Sequence, residues 1–215
     1  MTVETKVRVM TPMRVIGVGL ALAIGALAVV RARLEVRRET ERLSAARAAQ
    51  ISVDYGSAPQ FELTERGGRT VTSADLRGKV WIADFIFTRC LGPCPEMTSK
   101  MRRLQDMLAG VPDVVLTTFT VDPQHDTPEV LRDYAAAKGA DPQRWLFLTG
   151  SIEVLDAVQV KGFRIGMAGE SIHHSTSFVL VDGEGRIRGY YDSNESGMLE
   201  KLAADAAALA KGGGS

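Results

Sequence analysis

The feature that most constrains the fold of this 215-residue chain is a nearly continuous apolar run at residues 80–87, followed closely by two cysteines. A run of this length is typical of a strand that is covered on both faces. A helical pattern follows at residues 95–109, so Cys90 and Cys94 lie between a buried strand and a helix. Open α/β sheets bind their ligands beyond the carboxyl ends of their strands, and the cysteines follow such an end. The sequence therefore predicts a functional site at the two cysteines.

The remaining segments alternate between strand and helix patterns. We expect a hairpin within 61–76, a strand at 114–121, a helix at 128–139 capped by Thr127, a strand at 145–148, a helix at 151–160, a hairpin at 177–191 and a helix at 196–209. Strands separated by helices and followed by a hairpin imply a central mixed sheet with helices on both faces. This α/β order is the thioredoxin-like fold with an extra strand and helix inserted at 145–160.

Composition narrows the class of protein. Hydrophobic residues make up 45% and charged residues 24%, as in a globular protein with a real core. The 26 basic residues balance the 26 acidic ones, so no net field attracts nucleic acid, and a nucleic-acid partner is not expected. Two cysteines are too few for a disulfide-stapled scaffold, so the hydrophobic core must stabilise the domain.

A second apolar run, at residues 15–30, indicates a membrane segment. As a helix it would span ~24 Å, and Arg14 and Arg31 at its ends could extend it by snorkelling. A buried core helix is a poorer interpretation because the run has no polar face. The stronger alternative is a cleaved signal peptide, with a basic start and an Ala-Leu-Ala site at 26–28. We expect an uncleaved, single-pass transmembrane helix.

These observations predict the organisation of the chain. A short cytoplasmic N-terminus (1–14) precedes the anchor or signal sequence (15–30), a stalk or linker (31–58), the thioredoxin-like domain (59–210) and a flexible tail (211–215). Six arginines between positions 31 and 47 would, by the positive-inside rule, keep the domain in the cytoplasm. The chemistry of the cysteine site argues the opposite, so we expect the domain to face the periplasm or another extracytoplasmic side.

The cysteine segment predicts reactive thiols. The helix N-terminus and the neighbouring Arg89 both favour thiolate, which lowers a cysteine pKa below the ~8.5 of a free thiol. A thiolate binds a soft metal or attacks a disulfide. Redox thioredoxins place two residues between their cysteines, whereas three separate Cys90 from Cys94. The extra residue permits both sulfurs to bind one metal ion and does not prevent a disulfide, so both chemistries stay open beside the alternative of two inert buried thiols.

Other side chains offer metal-binding or acid–base groups. They are His125, His173, His174, Asp122, Asp126, Met97 and Met101. We expect His125 to be exposed in the loop before a capped helix. We assign Asp122 and Asp126 to turn and helix-start chemistry rather than to a direct functional role. The helical spacing of Met97 and Met101 is typical of core residues, although a thioether could bind Cu(I).

Three segments in order resemble the Sco/SenC copper chaperones: F-T-R-C-L-G-P-C-P at 87–95, V-D-P-Q-H-D-T-P-E-V-L at 121–131 and H-S-T-S-F-V-L-V-D-G-E-G at 174–185. The resemblance implies a thioredoxin fold tethered by one transmembrane helix, and a role in assembling the copper site of cytochrome c oxidase. It also implies that copper is bound by Cys90, Cys94 and His174, with His173 a solvated neighbour. Two departures are Arg89, where many members have histidine, and L-G-P between the cysteines.

Two thiolates and one imidazole suit Cu(I), because soft sulfur ligands select it; Cu(II) is a second possibility, and zinc fits less well. We therefore predict a copper chaperone rather than an enzyme, with the copper-accepting subunit of a terminal oxidase as its partner. Cys90 and Cys94 also form a predicted redox disulfide that a thiol reductase could reduce. The alternatives are a thiol–disulfide oxidoreductase and a peroxiredoxin-like peroxidase, in which His174 would have no role.

Overall fold

The computed structural model describes residues 12–51, 53–165 and 176–212. The chain divides into two compact units, the first ending at Leu43 and the second beginning at Ser44. Most of the predicted N-terminal segment (1–14) and the end of the predicted tail lie outside the described residues.

The first unit is formed by helix α1, Pro12–Gln50, which continues past the boundary between the units. Residues 31–50 of the predicted stalk or linker (31–58) are therefore helical. Side chains at 25–43 are exposed, among them Leu27, Val29 and Val30. In the part of the chain that the structure describes, no helix combines the length and apolarity needed to cross a membrane. The anchor at 15–30 thus stays a prediction from the sequence.

The second unit contains strands and helices in the predicted order. They are β1 Glu62–Glu65, β2 Thr70–Thr72, β3 Val80–Ile86, α2 Cys94–Met107, β4 Val114–Thr120, α3 Pro128–Ala137, β5 Trp145–Thr149, α4 Ile152–Asp156, β6 Ser177–Val181, β7 Ile187–Asp192 and α5 Met198–Gly212. A 3₁₀ turn, Ser73–Leu76, follows β2, and a π-helical turn, Ala157–Gly162, extends α4. Helix α5 runs further than expected, so Lys211 and Gly212 are helical rather than part of a flexible tail.

The described strands form one seven-stranded mixed sheet in the order β2-β1-β5-β4-β3-β6-β7. Strands β3, β4 and β5 are parallel at its centre, and the flanking pairs are antiparallel. The predicted mixed sheet is therefore confirmed. Ile86 is paired with Thr120, so β3 and β4 end side by side. The loops that follow these two strands consequently leave the sheet at the same edge.

Alternate residues of β3 face two separate cores. Ile82 and Ile86 belong to the core formed with α2, α3 and α5. Trp81 and Phe85 face the other side, where they contact Phe163 beyond α4. Helices therefore cover both faces, as the all-buried strand pattern predicts.

Local signals explain where two helices begin. The hydroxyl of Thr127 accepts a hydrogen bond from the Val130 amide, and Pro128 occupies the first position of α3. Ser151 caps α4 in the same way. The cap at Thr127 was expected from the sequence, and it defines the end of the loop that follows β4.

Candidate dithiol site

The two cysteines lie where the central strand β3 gives way to helix α2. Cys94 is the first residue of α2, and Cys90 lies in the loop before it. Both are free thiols, and both are buried, with exposures of 6% and 4% for Cys90 and Cys94. The Cys90 amide donates to the Phe87 carbonyl, and the Gly92 amide donates to the Cys90 sulfur at 3.4 Å. The structure therefore brings the predicted pair together at the carboxyl edge of the sheet.

The two thiols have opposite ionisation tendencies. Burial acts to raise the pKa of Cys90, but hydrogen bonds from the Cys94 thiol and from the amides of Cys94 and Gly92 outweigh it and lower that pKa overall. Burial raises the pKa of Cys94 to about 12, although a backbone hydrogen bond from Phe87 opposes the shift. The prediction of a lowered thiol pKa is right for Cys90 and wrong for Cys94. Cys90 is consequently the member of the pair that loses its proton more readily.

The cause of the lowered pKa differs from the one expected. Arg89 was expected to favour the thiolate, but its guanidinium is bound to Asp122, with the Arg89 Nη2 to Asp122 Oδ2 distance at 2.6 Å. The hydrogen bonds that lower the pKa of Cys90 come instead from Cys94 and Gly92. Amides around the first turn of α2 therefore provide the stabilisation that the helix N-terminus was predicted to give.

Asp126 holds the start of the cysteine loop. Its carboxylate is completely buried (0% exposed) and accepts hydrogen bonds from the Thr88 amide at 3.1 Å, the Thr88 hydroxyl at 2.5 Å and the Thr120 hydroxyl at 2.6 Å. Thr120 ends β4, and Thr88 lies two residues before Cys90. Asp126 thus lies in the turn directly before the Thr127 cap, as expected, and its carboxylate has the additional role of fixing the start of the cysteine loop. Asp122 does form the expected turn, since its carbonyl accepts from the amides of His125 and Asp126.

A second buried carboxyl, which the sequence analysis did not single out, lies beneath the thiols. Asp84 is 0% exposed within β3, and its Oδ1 accepts from the Thr118 hydroxyl at 2.6 Å, which in turn accepts from Trp145 Nε1 at 2.9 Å. Its Oδ2 has no hydrogen-bond partner among the described residues. Burial raises the pKa of Asp84 to about 7, and its charge helps to raise the pKa of Cys94. One acidic residue inside an apolar strand pattern is the signal that could have identified it.

The remaining candidates divide into core, surface and undescribed residues. Met97 and Met101 are 1% and 0% exposed in the core that also contains both cysteines, as predicted. His125 is exposed, also as predicted. His173 and His174 lie outside the described residues. Among residues that the structure describes, no three His, Cys, Asp or Glu side chains form a group that could hold a metal ion.

A mixed sheet with a buried dithiol between its central strand and the next helix defines a thioredoxin-like protein. The family model described as SCO1/SenC matches residues 51–211, so the chain belongs to the SCO1/SenC family. The resemblance inferred from the three sequence segments is thereby confirmed.

Individual relatives agree with this assignment. The SCO1 protein homolog of Bacillus subtilis (strain 168) is 34% identical over 151 residues, which are 67% of this chain and 78% of the relative. The structure of BsSco, described as a cytochrome c oxidase assembly protein with a disulfide switch, is 33% identical, covers 75% of this chain and 98% of its own, and has a TM-score of 0.67. The structure of yeast Sco1 with copper bound is 27% identical, covers 69% of this chain and 88% of its own, and has a TM-score of 0.57.

Replacing Asp126 with alanine is expected to lower the free energy of unfolding by about 2–4 kcal/mol, because three buried donors lose their acceptor. Urea unfolding followed by fluorescence of the buried Trp81 and Trp145 measures it. Asp122→Ala is the matched control in the same turn, and it should cost less than about 1 kcal/mol because Arg89 is 60% exposed in that ion pair. Equal costs for the two variants would contradict the role given to Asp126.

Asp84 is expected to make stability fall as pH rises. Between about pH 4 and pH 7 the folded chain keeps a proton that the unfolded carboxyl, with its pKa of 3.8, has released. The contribution of Asp84 to the free energy of unfolding should therefore decrease over this window by up to about 4 kcal/mol. Asp84→Asn removes the effect, so its stability relative to wild type should increase by that amount from pH 4 to pH 7.

The control for this pH dependence is Asp133→Asn, a change at a side chain that is 83% exposed. Its unfolding free energy should follow the wild-type pH dependence throughout. A constant difference between Asp84→Asn and wild type across the window would show that Asp84 titrates alike in the folded and unfolded chains.

Proposed function

We propose that this protein is a membrane-tethered copper chaperone that binds copper through Cys90, Cys94 and His174 and delivers it to the copper site of cytochrome c oxidase. The observation that carries the proposal is the meeting of two buried thiols at one sheet edge in a chain of the SCO1/SenC family. Copper is the cargo in this reaction. The chaperone makes and breaks ligand bonds to it without chemical turnover.

The donor set supports copper rather than a harder metal. Thiolates select Cu(I), and yeast Sco1 is a relative whose structure contains copper. The lowered pKa of Cys90 favours a thiolate ligand, whereas Cys94 must lose its proton when the metal binds. The surrounding core, which includes Met97 and Met101, limits the access of water and oxidants to the sulfurs.

The position of β6 supports His174 as the third ligand. Strand β6 is antiparallel to β3, with Ala83 paired with Val179, so Ser177 at the start of β6 lies towards the sheet edge where β3 ends. His174 precedes Ser177 by three residues. His174 is therefore only three residues away in sequence from the start of β6, which lies towards the edge that carries both cysteines. Imidazole is a common ligand for copper and completes a three-coordinate site.

The membrane tether is the apolar run at residues 15–30, and the proposed orientation places the second unit on the extracytoplasmic side. Leu27, Val29 and Val30 expose about half of their side-chain surface on α1, which suits contact with an apolar environment. A tether of this kind would keep the chaperone near a membrane-embedded oxidase.

The opposite pKa shifts of the two thiols favour a second candidate, a thiol–disulfide oxidoreductase. The Cys90 thiolate would attack a partner disulfide to form a mixed disulfide and release one partner thiolate. Cys94 would then lose its proton and attack the Cys90 sulfur, which releases the second partner thiolate and leaves a Cys90–Cys94 disulfide. Two electrons pass from the dithiol to the partner. The disulfide switch described for BsSco is consistent with such chemistry.

The full-length reduced protein is expected to bind one Cu(I) per chain in an anaerobic titration with a competing chelator. Cys90→Ser and Cys94→Ser should each abolish tight binding, because each removes one of two thiolate ligands. His174→Ala should weaken binding and leave the disulfide able to form. His173→Ala is the adjacent control and should bind like wild type; a larger effect at His173 would move the ligand by one residue. Tight binding by either serine variant would contradict the two-thiolate site.

Copper loading and oxidation should compete for the same sulfurs. Each tenfold increase in free Cu(I) above its dissociation constant should stabilise the reduced form by ~1.4 kcal/mol, which raises the apparent midpoint potential of the two-electron couple by about 30 mV. A redox titration by thiol alkylation at several buffered Cu(I) activities measures this shift. The His174→Ala variant should need a higher Cu(I) activity for the same shift. A midpoint independent of copper would favour the oxidoreductase over the chaperone.

A further inference from the structure

The loop between the two thiols presents one apolar side chain to solvent. Leu91 has a relative exposure of 101%, and the next most exposed large apolar side chain in the described part of the second unit is Val53 at 52%. Single exposed leucines are common on protein surfaces and need no function. Leu91 differs in its position, because it follows Cys90 directly within the loop that joins the two cysteines.

The residues around this side chain are held in place. Thr88 and Arg89 are bound to carboxylates of the turn at 122–126, and the Gly92 amide donates to the Cys90 sulfur. The loop is therefore organised before any partner binds. An exposed apolar side chain on a preorganised loop loses little conformational freedom on binding, which is a property of anchor residues at protein interfaces.

Charged groups beside the loop are already paired. Arg89 is bound to Asp122, and Lys100 is bound to Glu96, each at an N–O distance of 2.6 Å. Arg89 and Lys100 therefore already have carboxylate partners and are less available to attract a charged partner. Burial of apolar surface is the larger gain available to a partner that binds here.

Transfer chemistry requires the partner to cover this side chain. A sulfur that exchanges with Cys90 must approach to about 2 Å of the copper ion or of the sulfur itself. Because Leu91 is adjacent to Cys90 and fully exposed, it is an apolar side chain available to a surface that brings the incoming sulfur to Cys90. We propose that Leu91 is the docking anchor for the copper acceptor, and that it inserts into an apolar depression beside the acceptor's sulfur ligands. The identity of the acceptor rests on the proposed function.

The test measures copper transfer from the full-length, Cu(I)-loaded protein to the reduced, copper-free copper-accepting domain of the oxidase subunit from the same cell. Leu91→Ser is expected to lower the second-order rate constant about tenfold, which corresponds to 1.4 kcal/mol. Leu91→Met keeps an apolar side chain of similar volume and should remain within about twofold of wild type. Met107→Ser is the matched control, because Met107 is an exposed apolar residue (43%) at the far end of α2, and it should transfer copper at the wild-type rate.

Two further measurements separate docking from ligand chemistry. The Cu(I) affinity of Leu91→Ser, by chelator competition, and its rate of oxidation by glutathione disulfide should both equal those of wild type, since neither probe needs the apolar contact. The transfer rate of wild type should change less than about twofold between about 0.05 and 0.5 M NaCl, because the nearby charges are already paired. A loss of Cu(I) affinity in Leu91→Ser that accounts for the slower transfer would overturn the inference, since Leu91 would then act on the loop itself.

Equal transfer rates for Leu91→Ser and wild type would also overturn it. A wild-type protein that transfers no copper would instead contradict the proposed delivery. The role of Leu91 would then be tested by comparing the rates at which reduced wild type and reduced Leu91→Ser reduce the disulfide form of the same acceptor domain. Slower reduction by Leu91→Ser, with normal reactivity towards glutathione disulfide, would retain Leu91 as the anchor. Equal rates would exclude it.

Discussion

The hydrogen bonds of the Asp126 carboxylate join the ends of β3 and β4, and the geometry of the cysteine loop depends on them. A buried carboxylate is costly unless donors surround it, and here the hydroxyls of Thr88 and Thr120 and the Thr88 amide supply three. Thr88 lies two residues before Cys90. Its attachment to a neighbouring strand positions the first thiol against the helix that begins with the second.

The asymmetry of the thiols follows from this arrangement. Cys94 begins α2 and belongs to the core, where desolvation and the nearby Asp84 charge disfavour its thiolate. Cys90 receives hydrogen bonds from the amides of Gly92, in the loop before α2, and of Cys94, and from the Cys94 thiol. A pair with one nucleophilic and one protonated sulfur suits disulfide exchange, and loss of the remaining proton converts it into a dithiolate for a soft metal. The two proposed activities therefore use one site in two protonation states.

The cysteine loop is fixed where it leaves β3 and exposed to solvent between the two cysteines. The Thr88 hydroxyl donates a hydrogen bond to the buried Asp126 carboxylate, whereas the Leu91 side chain is fully exposed to solvent. The segment L-G-P between the cysteines is one of the places where the chain departs from the commoner pattern of the family it resembles. Within this segment, the proposed docking uses the exposed Leu91 side chain, whereas Gly92 donates its amide hydrogen to the Cys90 sulfur. Family membership and individual partner preference can in this way be set by different residues of one short loop.

Local sequence patterns predicted the order of strands and helices. The apolar run of β3 indicated a strand buried on both faces, and Thr127 and Ser151 indicated where two helices begin. The pairing of Cys90 with Cys94 also followed from a strand–loop–helix pattern. Asp126 and Asp122 lie four residues apart in one turn, and only the tertiary structure distinguished the buried role of the first from the surface role of the second. The parallel pairing of β3 with β4 encloses Asp126 and leaves Asp122 to bind Arg89 at the surface. Burial of a polar side chain depends on residues distant in the sequence, so local patterns determined the elements and long-range packing determined the electrostatics of the thiols.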